Sequence, residues 1–264
     1  MGHPFETMPG RSRSNLLFIC DHASNRIPAL YSGLGMPADA FTRHIAYDVG
    51  AAELTRKLAQ LFEAPAVLSR FSRLLIDPNR GLDDPTLVMR LSDGAIIPGN
   101  ARIGADEVEK RVERYWRPYR SAVAGEIANI RALGGVPVII SIHSFTPVWK
   151  GLARPWDLAV LWDNDPRLAL PLIASLRAAN ITVGDNEPYD GALVGDTLYD
   201  LATTKGLPHV LIEVRQDHLA SPGGVEDFAN KLATALKPLH VRAEMHVVRE
   251  YGSRTDPNPK ESMS

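Results

Sequence analysis

The sequence predicts an α/β fold, a three-layer αβα sandwich whose mixed, largely parallel central sheet lies between two layers of helices. Short apolar runs alternate with longer segments in which apolar residues recur at helical spacing. The apolar runs are continuous, which is typical of strands that are buried on both faces. The 264 residues contain no internal repeat and no convincing linker, so we expect a single domain over residues 15–250.

In the first half of the chain, buried strands flank one amphipathic helix. The predicted elements are a strand at 16–20, a helix at 48–61, and strands at 66–68 and 74–76. Asp48 is placed to cap the start of the helix, and an equally good interpretation gives it a role in a functional site. The loop from 77 to about 104 is rich in Gly, Pro, Asp and Asn, and loops of that length are usually functional or mobile.

The second half continues the alternation. The predicted elements are a helix at 105–133, strands at 136–142 and 158–162, a helix that begins at 165–166, a strand at 181–183, a helix at 197–204, a strand at 210–214 and a helix at 225–236. Pro118 is expected to bend or divide the first of these helices, because proline has no backbone N–H to donate. The order of strands and helices supports the α/β assignment.

Composition excludes several classes of protein. Lys and Arg number 29 against 31 Asp and Glu, a formal charge of -2 that gives no electrostatic reason to expect nucleic acid or a membrane as partner. The single cysteine, Cys20, excludes an internal disulfide and a four-cysteine zinc site. No apolar run approaches the ~20 residues of a membrane span. We therefore expect a cytoplasmic protein with flexible ends at 1–14 and 253–264.

Polar residues cluster where predicted strands end. Asp21 and His22 follow the first strand, residues 77–80 follow the third, His143 closes the fourth, and Glu213 lies in the last. Ligands of open α/β sheets gather beyond the carboxyl ends of parallel strands. These side chains are therefore predicted to converge on one site.

Two of the converging residues are candidate metal ligands. His22 and His143 are the natural nitrogen ligands, because two histidines and one carboxylate form a typical catalytic zinc site with a position left for water. The third ligand is open between Asp48, Asp21 and Asn25. Each histidine taken alone has the plainer interpretation of a packed, hydrogen-bonded side chain.

Glu213 is the candidate catalytic base. A carboxylate at the end of an apolar strand costs free energy unless it is paired or functional. It is placed either to take a proton from a zinc-activated water or to pair with Arg215. Cys20 is interpreted as an inert core thiol, and a cysteine hydrolase that uses it is a weaker alternative.

Arginines near the strand ends indicate an anionic substrate. Arginine binds carboxylates through paired hydrogen bonds. The candidate substrate-binding residues are Arg73, Asn79, Arg80, Arg154 and Arg215. Together with a hydrolytic metal, they predict a small substrate that bears one or more carboxylates.

Five segments then resemble the N-formylglutamate amidohydrolase family, in order from about Asn15 to Leu236. They are Cys-Asp-His-Ala-Ser-Asn-Arg-Ile-Pro at 20–28, His-Ile-Ala-Tyr-Asp-Val-Gly-Ala at 44–51, Ser-Arg-Leu-Leu-Ile-Asp-Pro-Asn-Arg at 72–80, Ser-Ile-His-Ser-Phe at 141–145 and Ile-Glu-Val-Arg-Gln-Asp at 212–217. The resemblance implies a fold similar to the zinc-dependent exopeptidases. It also implies zinc at His22 and His143 with Asp48 as third ligand, Glu213 as base, and Asn79 with Arg80 as carboxylate clamp.

The resulting hypothesis is a zinc-dependent amidohydrolase with one Zn²⁺ per chain. Its substrate is predicted to be N-formyl-L-glutamate or a related N-acyl amino acid. A non-catalytic protein that binds a carboxylate ligand, and a peptidoglycan or peptide amidase of the same fold, are the alternatives. The acyl group, the amino acid and the oligomeric state stay open.

Overall fold

A seven-stranded mixed sheet forms the centre of the computed structural model, which describes residues 2–11 and 14–256. In chain order, the strands are β1 Phe5–Met8, β2 Leu16–Cys20, β3 Ala66–Ser69, β4 Leu91–Ser92, β5 Ala95–Ile96, β6 Val138–Phe145, β7 Val148–Trp149, β8 Leu152–Ala153, β9 Leu158–Leu161, β10 Val183–Asp185 and β11 His209–Arg215. The helices are α1 Ala51–Phe62, α2 Pro98–Ala101, α3 Ala105–Arg111, α4 Arg117–Ala132, α5 Pro166–Ala178, α6 Thr197–Leu201 and α7 Pro222–Leu236.

The central sheet has the strand order β1-β3-β2-β6-β11-β9-β10. Strands β3, β2, β6 and β11 are parallel to one another, so their carboxyl ends lie at one edge. Strand β1 is antiparallel to β3, and β9 is antiparallel to β11. From β2 the chain passes to β3 on one side and later to β6 on the other. This change of direction is the topological switch point at which such sheets bind ligands.

Helices cover both faces of the sheet, and alternate side chains of β6 pack against the two helical layers. Ile140 and Ile142 pack on the face covered by α1, α5 and α7, whereas Ile139 packs on the face covered by α4. Successive residues of a strand point to opposite faces, so His143 lies on the α4 side with Ile139. The predicted three-layer sandwich with a mixed, largely parallel sheet is therefore confirmed.

One predicted strand is wrong. Residues 74–76 form no strand, and residues 73–75 lie in a turn. The hydroxyl of Ser72 accepts from the N–H of Leu74 at 3.2 Å, and its carbonyl accepts from the N–H of Leu75 at 2.9 Å. The apolar side chains of the turn enter the core, which is why the segment has the apolar character of a buried strand.

Several predicted helices differ from the observed ones at their boundaries, and two of these differences concern Asp48 and Pro118. The first helix begins at Ala51, with Gly50 in a left-handed conformation at its N-cap. Asp48 therefore does not cap it. The long predicted helix is divided by a π-helical turn at Val112–Trp116, and Pro118 lies in the first turn of the helix that follows. The expected division at this proline is thus present.

Both ends of the described chain contact the rest of the fold. Phe5–Met8 pairs with Ala66–Ser69 at one edge of the sheet. Ser253 is buried, and the side chain of Arg254 is hydrogen-bonded to other parts of the chain. The flexibility expected of 1–14 and 253–264 stays a prediction, and residues 1, 12–13 and 257–264 lie outside the described residues. Among the helices of the described chain, none combines the length and apolar character that crossing a bilayer requires.

Candidate active site

Three buried side chains meet at the carboxyl edge of the parallel strands. His22 lies just beyond β2, His143 lies in β6, and Asp48 lies in the loop before α1. The backbone N–H of Asp48 donates to the carbonyl of His22 at 3.0 Å, which fixes this loop beside β2. Oδ2 of Asp48 lies 2.8 Å from Nδ1 of His143 and 3.4 Å from Nδ1 of His22. One potential ligand atom from each residue lies within 4.8 Å of the others.

The far nitrogen of each imidazole contacts a second carboxylate. Nε2 of His22 lies 2.7 Å from Oδ1 of Asp77, and Nε2 of His143 lies 3.1 Å from Oδ2 of Asp21. A carboxylate that accepts from Nε2 directs the lone pair of Nδ1 toward Asp48. Histidine ligands of metals are commonly oriented in this way. The three inner residues therefore fit a divalent cation.

The charges of the cluster support the same conclusion. Burial alone would lower the pKa of His143, but its hydrogen bonds to Asp21 and Asp48 raise that pKa well above its usual value. Burial would raise the pKa of Asp21, but His143 lowers it to about 2. The carboxylates thus stabilise positive charge at this position, and a bound cation would take the place of the proton on His143.

The two other candidates for the third ligand occupy different places. Asp21 lies behind His143, where it also accepts a hydrogen bond from the hydroxyl of Ser141 at 3.0 Å. The amide of Asn25 donates to the carbonyl of Phe41 at 2.7 Å. The geometry therefore favours Asp48 over both.

Glu213 lies beside this cluster without a hydrogen-bond partner. It pairs in register with His143, so both side chains lie on the same face of neighbouring strands. It is 8% exposed, and within the described chain its Oε2 atom is buried and makes no hydrogen bond. Burial raises the pKa of Glu213 to about 7. A buried carboxyl of this kind is suited to proton transfer near neutral pH.

The predicted alternative role of Glu213, an ion pair with Arg215, is wrong. The guanidinium of Arg215 pairs with Asp217 at 2.8 Å and donates to the carbonyls of Arg154 and Trp156 at 3.2 and 3.1 Å. Arg215 also does not line the cavity beside Glu213. It braces the backbone of the segment that carries Arg154.

A cavity of about 430 Å³ opens over these residues. Its lining includes the cluster residues His22, Asp48, His143 and Glu213 and the loop residues Arg73, Asn79, Arg80, Tyr189, Asp190, Leu193 and Asp196. The guanidinium of Arg73 contacts Asp77 at 2.8 Å and Asp48 at 3.7 Å. Arg80 donates to the carbonyl of Asn79 at 2.9 Å. The structure thus places Arg73, Asn79 and Arg80 beside the cluster, as the sequence predicts.

Arg154 is enclosed by aromatic rings at the border of this cavity. Its guanidinium carbon lies 5.5 Å from the ring centre of Phe145, 5.6 Å from that of Trp149 and 5.2 Å from that of Tyr189. It donates to the hydroxyl of Tyr189 at 3.0 Å. No carboxylate of the described chain forms an ion pair with it.

Cys20 lies outside the candidate cluster and does not line its cavity. Its side chain packs on the face covered by α1 and α7, opposite the face of His143. Burial, reinforced by Asp48 and Asp21, raises the pKa of its thiol well above the usual value. A thiol in this state is a poor nucleophile, so the cysteine-hydrolase alternative has no support.

Sequence reasoning missed the roles of several residues of the site. The place of Asp77 after an apolar run makes it a candidate polar residue of the site. Nothing in the sequence, however, indicates that it contacts the ring of His22. The cavity wall at 186–193 follows a short strand without polar periodicity or a motif. The position of Asp21 directly after a buried strand does indicate that it belongs to the site.

Two histidines and a carboxylate beside a free glutamate, at the carboxyl edge of a parallel sheet, define the class of protein. This arrangement is typical of hydrolases that use a metal to activate water. The family model for N-formylglutamate amidohydrolase matches residues 14–220 of the chain. The chain belongs to this family and is a hydrolase of the amidohydrolase type.

Two solved structures have the same fold. A gene product from Agrobacterium tumefaciens shares 34% sequence identity and superposes with a TM-score of 0.84, covering 90% of this chain and 97% of that one. The N-formylglutamate amidohydrolase from Ralstonia eutropha JMP134 shares 20% identity with a TM-score of 0.68, again covering 90% and 97%. No curated protein matches the chain.

Proposed function

We propose that this protein hydrolyses the amide bond of a small N-acyl amino acid, N-formyl-L-glutamate or a related compound. A zinc ion held by His22, Asp48 and His143 would be its cofactor, with one ion per chain. The observation that carries the proposal is the unpartnered Oε2 of Glu213 beside three converging ligand atoms. We also propose a single domain over residues 15–250 and a cytoplasmic location.

His22, Asp48 and His143 would hold the zinc ion, and the ion would supply Lewis acidity that lowers the pKa of water toward 7 and polarises a carbonyl. Asp21 and Asp77 hold the two imidazoles in the orientation that this role requires. Their own hydrogen bonds make them positioning residues for the ligands. Metal affinity is therefore expected to depend on both carboxylates.

Glu213 is proposed as the general base. Its buried carboxylate takes a proton from the attacking water while the oxygen adds to the amide carbonyl carbon. The same carboxyl then delivers that proton to the departing nitrogen as the carbon–nitrogen bond breaks. The products are the carboxylic acid of the acyl group and the free amino acid. Glu213 returns to its starting state.

Cationic side chains of the cavity are proposed to bind the carboxylates of the substrate. Arg80, with Asn79, is assigned the carboxylate next to the amide nitrogen. Arg73 is assigned a place near the developing oxyanion, because it lines the cavity beside the proposed ligand Asp48. Arg215 does not contact the substrate in this scheme, because its guanidinium is hydrogen-bonded outside the cavity.

Arg154 is proposed to bind a side-chain carboxylate. The buried arginines of the described chain are Arg111, Arg120, Arg154 and Arg167. Three of them contact a carboxylate at 3.1 Å or less, and Arg154 does not. A buried cation without an anion is costly, and an acidic substrate would supply the missing charge.

The proposal is tested by assaying the zinc-loaded protein against N-formyl, N-acetyl and N-succinyl amino acids, with N-acyl peptides in the same panel. We expect about one zinc per chain and the fastest turnover with an acidic N-acyl amino acid. Preference for the peptides would favour the peptide or peptidoglycan amidase. Tight carboxylate binding without turnover would favour the non-catalytic binding protein.

A further inference from the structure

Residues 253–256 lie against the wall of the catalytic cavity. The guanidinium of Arg254 donates to both carboxylate oxygens of Asp190, at 2.6 and 3.1 Å, and to the carbonyl of Trp162 at 2.7 Å. The backbone N–H of Arg254 donates to Oδ1 of Asp163 at 2.8 Å. One side chain therefore joins the segment after β9 to the loop that carries Asp190.

This loop, residues 186–193, forms one wall of the cavity through Tyr189, Asp190, Gly191, Ala192 and Leu193. Asn186 and Gly191 of this loop also contact the segment after β9. The amide oxygen of Asn186 accepts from the N–H of Trp162 at 2.9 Å and from that of Gly191 at 3.1 Å. A Cβ atom on Gly191 would clash with the backbone nitrogen of Trp162, so this approach requires glycine. Arg254 completes the attachment at the side of Asp190.

The position of the loop also determines the position of a substrate-binding group. Tyr189 lies one residue before Asp190, and its hydroxyl accepts a hydrogen bond from Arg154 at 3.0 Å. A shift of the loop would move the phenol and release one of the few hydrogen bonds of the Arg154 guanidinium. Without Arg254, the charge of Asp190 at the cavity wall would also repel an anionic substrate.

We infer that Arg254 is a positioning residue for substrate binding. Its paired hydrogen bonds to Asp190 hold the loop 186–193, and through Tyr189 the guanidinium of Arg154, in the geometry that accepts an anionic substrate. The inference rests on the proposed function for its substrate, and on the contacts above for its structural part. It assigns a role in binding to a side chain outside the segment matched by the family model.

Arg254 is separate from the hydrolytic groups. Its contacts are with Asp163, Asp190 and Trp162, whereas the ligand residues and Glu213 lie on or beside the parallel strands. Loss of its side chain is therefore expected to weaken substrate binding and to leave the chemical step intact. The substitution removes a partly exposed ion pair with Asp190 and a longer one, at 3.4 Å, with the buried Asp163. Oδ1 of Asp163 keeps its hydrogen bond from the backbone N–H of residue 254, so the variant should fold.

The kinetic test compares Arg254→Ala with Arg242→Ala in the zinc-loaded full chain. Arg242 is a matched control, because its guanidinium is similarly exposed and pairs with Glu244 at 2.6 Å away from the cavity. We expect Arg254→Ala to raise KM on the order of fivefold with little change in kcat. A change of this size corresponds to the interaction free energy that is typical of side chains in contact. Arg242→Ala should change neither constant. In an Asp190→Asn background, the effect of Arg254→Ala should become much smaller.

Hydrogen exchange of the purified protein gives a readout that does not depend on activity. Backbone amides of 186–193 should exchange faster in Arg254→Ala than in the wild type, and Arg242→Ala should leave them unchanged. Unchanged exchange in this loop, or a fall in kcat at constant KM, would overturn the inference. If the wild type hydrolysed no N-acyl amino acid, the proposed function would fail. The exchange result would still decide whether Arg254 holds the loop 186–193.

Discussion

Nδ1 of His143 lies 2.8 Å from a carboxylate oxygen of Asp48, 95 residues earlier in the chain. The same oxygen faces Nδ1 of His22. With Asp21 and Asp77 behind the two rings, three buried carboxylates surround two imidazoles and one guanidinium. Neutral imidazoles would leave an excess of negative charge, which a divalent cation balances.

Replacing His143 with alanine should abolish zinc binding and turnover. The change removes one nitrogen ligand and one hydrogen-bond partner from each of Asp21 and Asp48, so the variant should also lose some stability. Zinc content after dialysis and the melting temperature measure the two effects. His209→Ala is the matched control, because His209 is a buried histidine of β11 outside the cavity. Full zinc occupancy in His143→Ala would contradict the ligand set.

Replacing Glu213 with glutamine should reduce kcat by about 10²–10⁴, because the amide keeps the shape of the side chain but accepts no proton. Zinc content and KM should change little. The free energy of unfolding should not fall, because the structure gives Glu213 no ion pair to lose. Kinetics, metal analysis and thermal unfolding of one variant measure all three. Near-normal turnover would exclude Glu213 as the base.

Replacing Arg154 with methionine should separate acidic substrates from neutral ones. Methionine fills much of the space between the rings of Phe145, Trp149 and Tyr189 but carries no charge. KM for N-formylglutamate should rise roughly ten- to hundredfold, the usual value of a charge-assisted hydrogen bond. KM for N-formylleucine should be nearly unchanged, which makes it the internal control. Equal losses for both substrates would show that Arg154 acts on cavity shape.

Stability should depend on pH through Asp196, which caps α6 by accepting from the N–H of Tyr199 at 2.6 Å. Burial raises its pKa from 3.8 to about 7 in the folded protein. The folded state therefore holds this proton more tightly, and the wild type loses stability as pH rises from about 4 to 7. The Asp196→Asn variant has no carboxyl at this position, so it does not lose stability in this way. Its stability relative to the wild type should grow across that window, by on the order of 1–4 kcal/mol in denaturant titrations.

The comparison for Asp196→Asn is made at a series of pH values between 4 and 8. Above the folded-state pKa of about 7, the carboxyl of Asp196 is ionised in both the folded and the unfolded chain, so the difference should level off there. Two parallel curves would show that the carboxyl of Asp196 titrates at its ordinary value in the folded chain.

Much of the fold and the centre of the candidate site could be predicted from the sequence. Continuous apolar strands carry a strong signal, and His22, His143 and Glu213 stand out because each polar side chain adjoins one. The third ligand stayed open, because Asp48 precedes a helix and a cap has the same local pattern. Geometry was needed to separate these roles.

Other features depend on contacts that no local pattern encodes. The three apolar residues at 74–76 enter the core from a turn, and their hydrophobicity alone is the same as that of a strand. Arg154 and Arg215 are both arginines near strand ends. The guanidinium of Arg154 packs against Phe145 and Tyr189, which line the cavity, whereas that of Arg215 pairs with Asp217. Arg254 lies in a polar segment whose partner, Asp190, is 64 residues earlier.

The loop 186–193 and the metal-ligand cluster are held in place by different parts of the fold. Strand pairing fixes the backbone of His143 and Glu213, which sets the relative position of their side chains. The loop is anchored through Asn186, Gly191 and Asp190, and Ala192 and Leu193 of the same loop line the cavity. A substitution at Ala192 or Leu193 can therefore change which substrates fit the cavity without moving the residues that strand pairing holds.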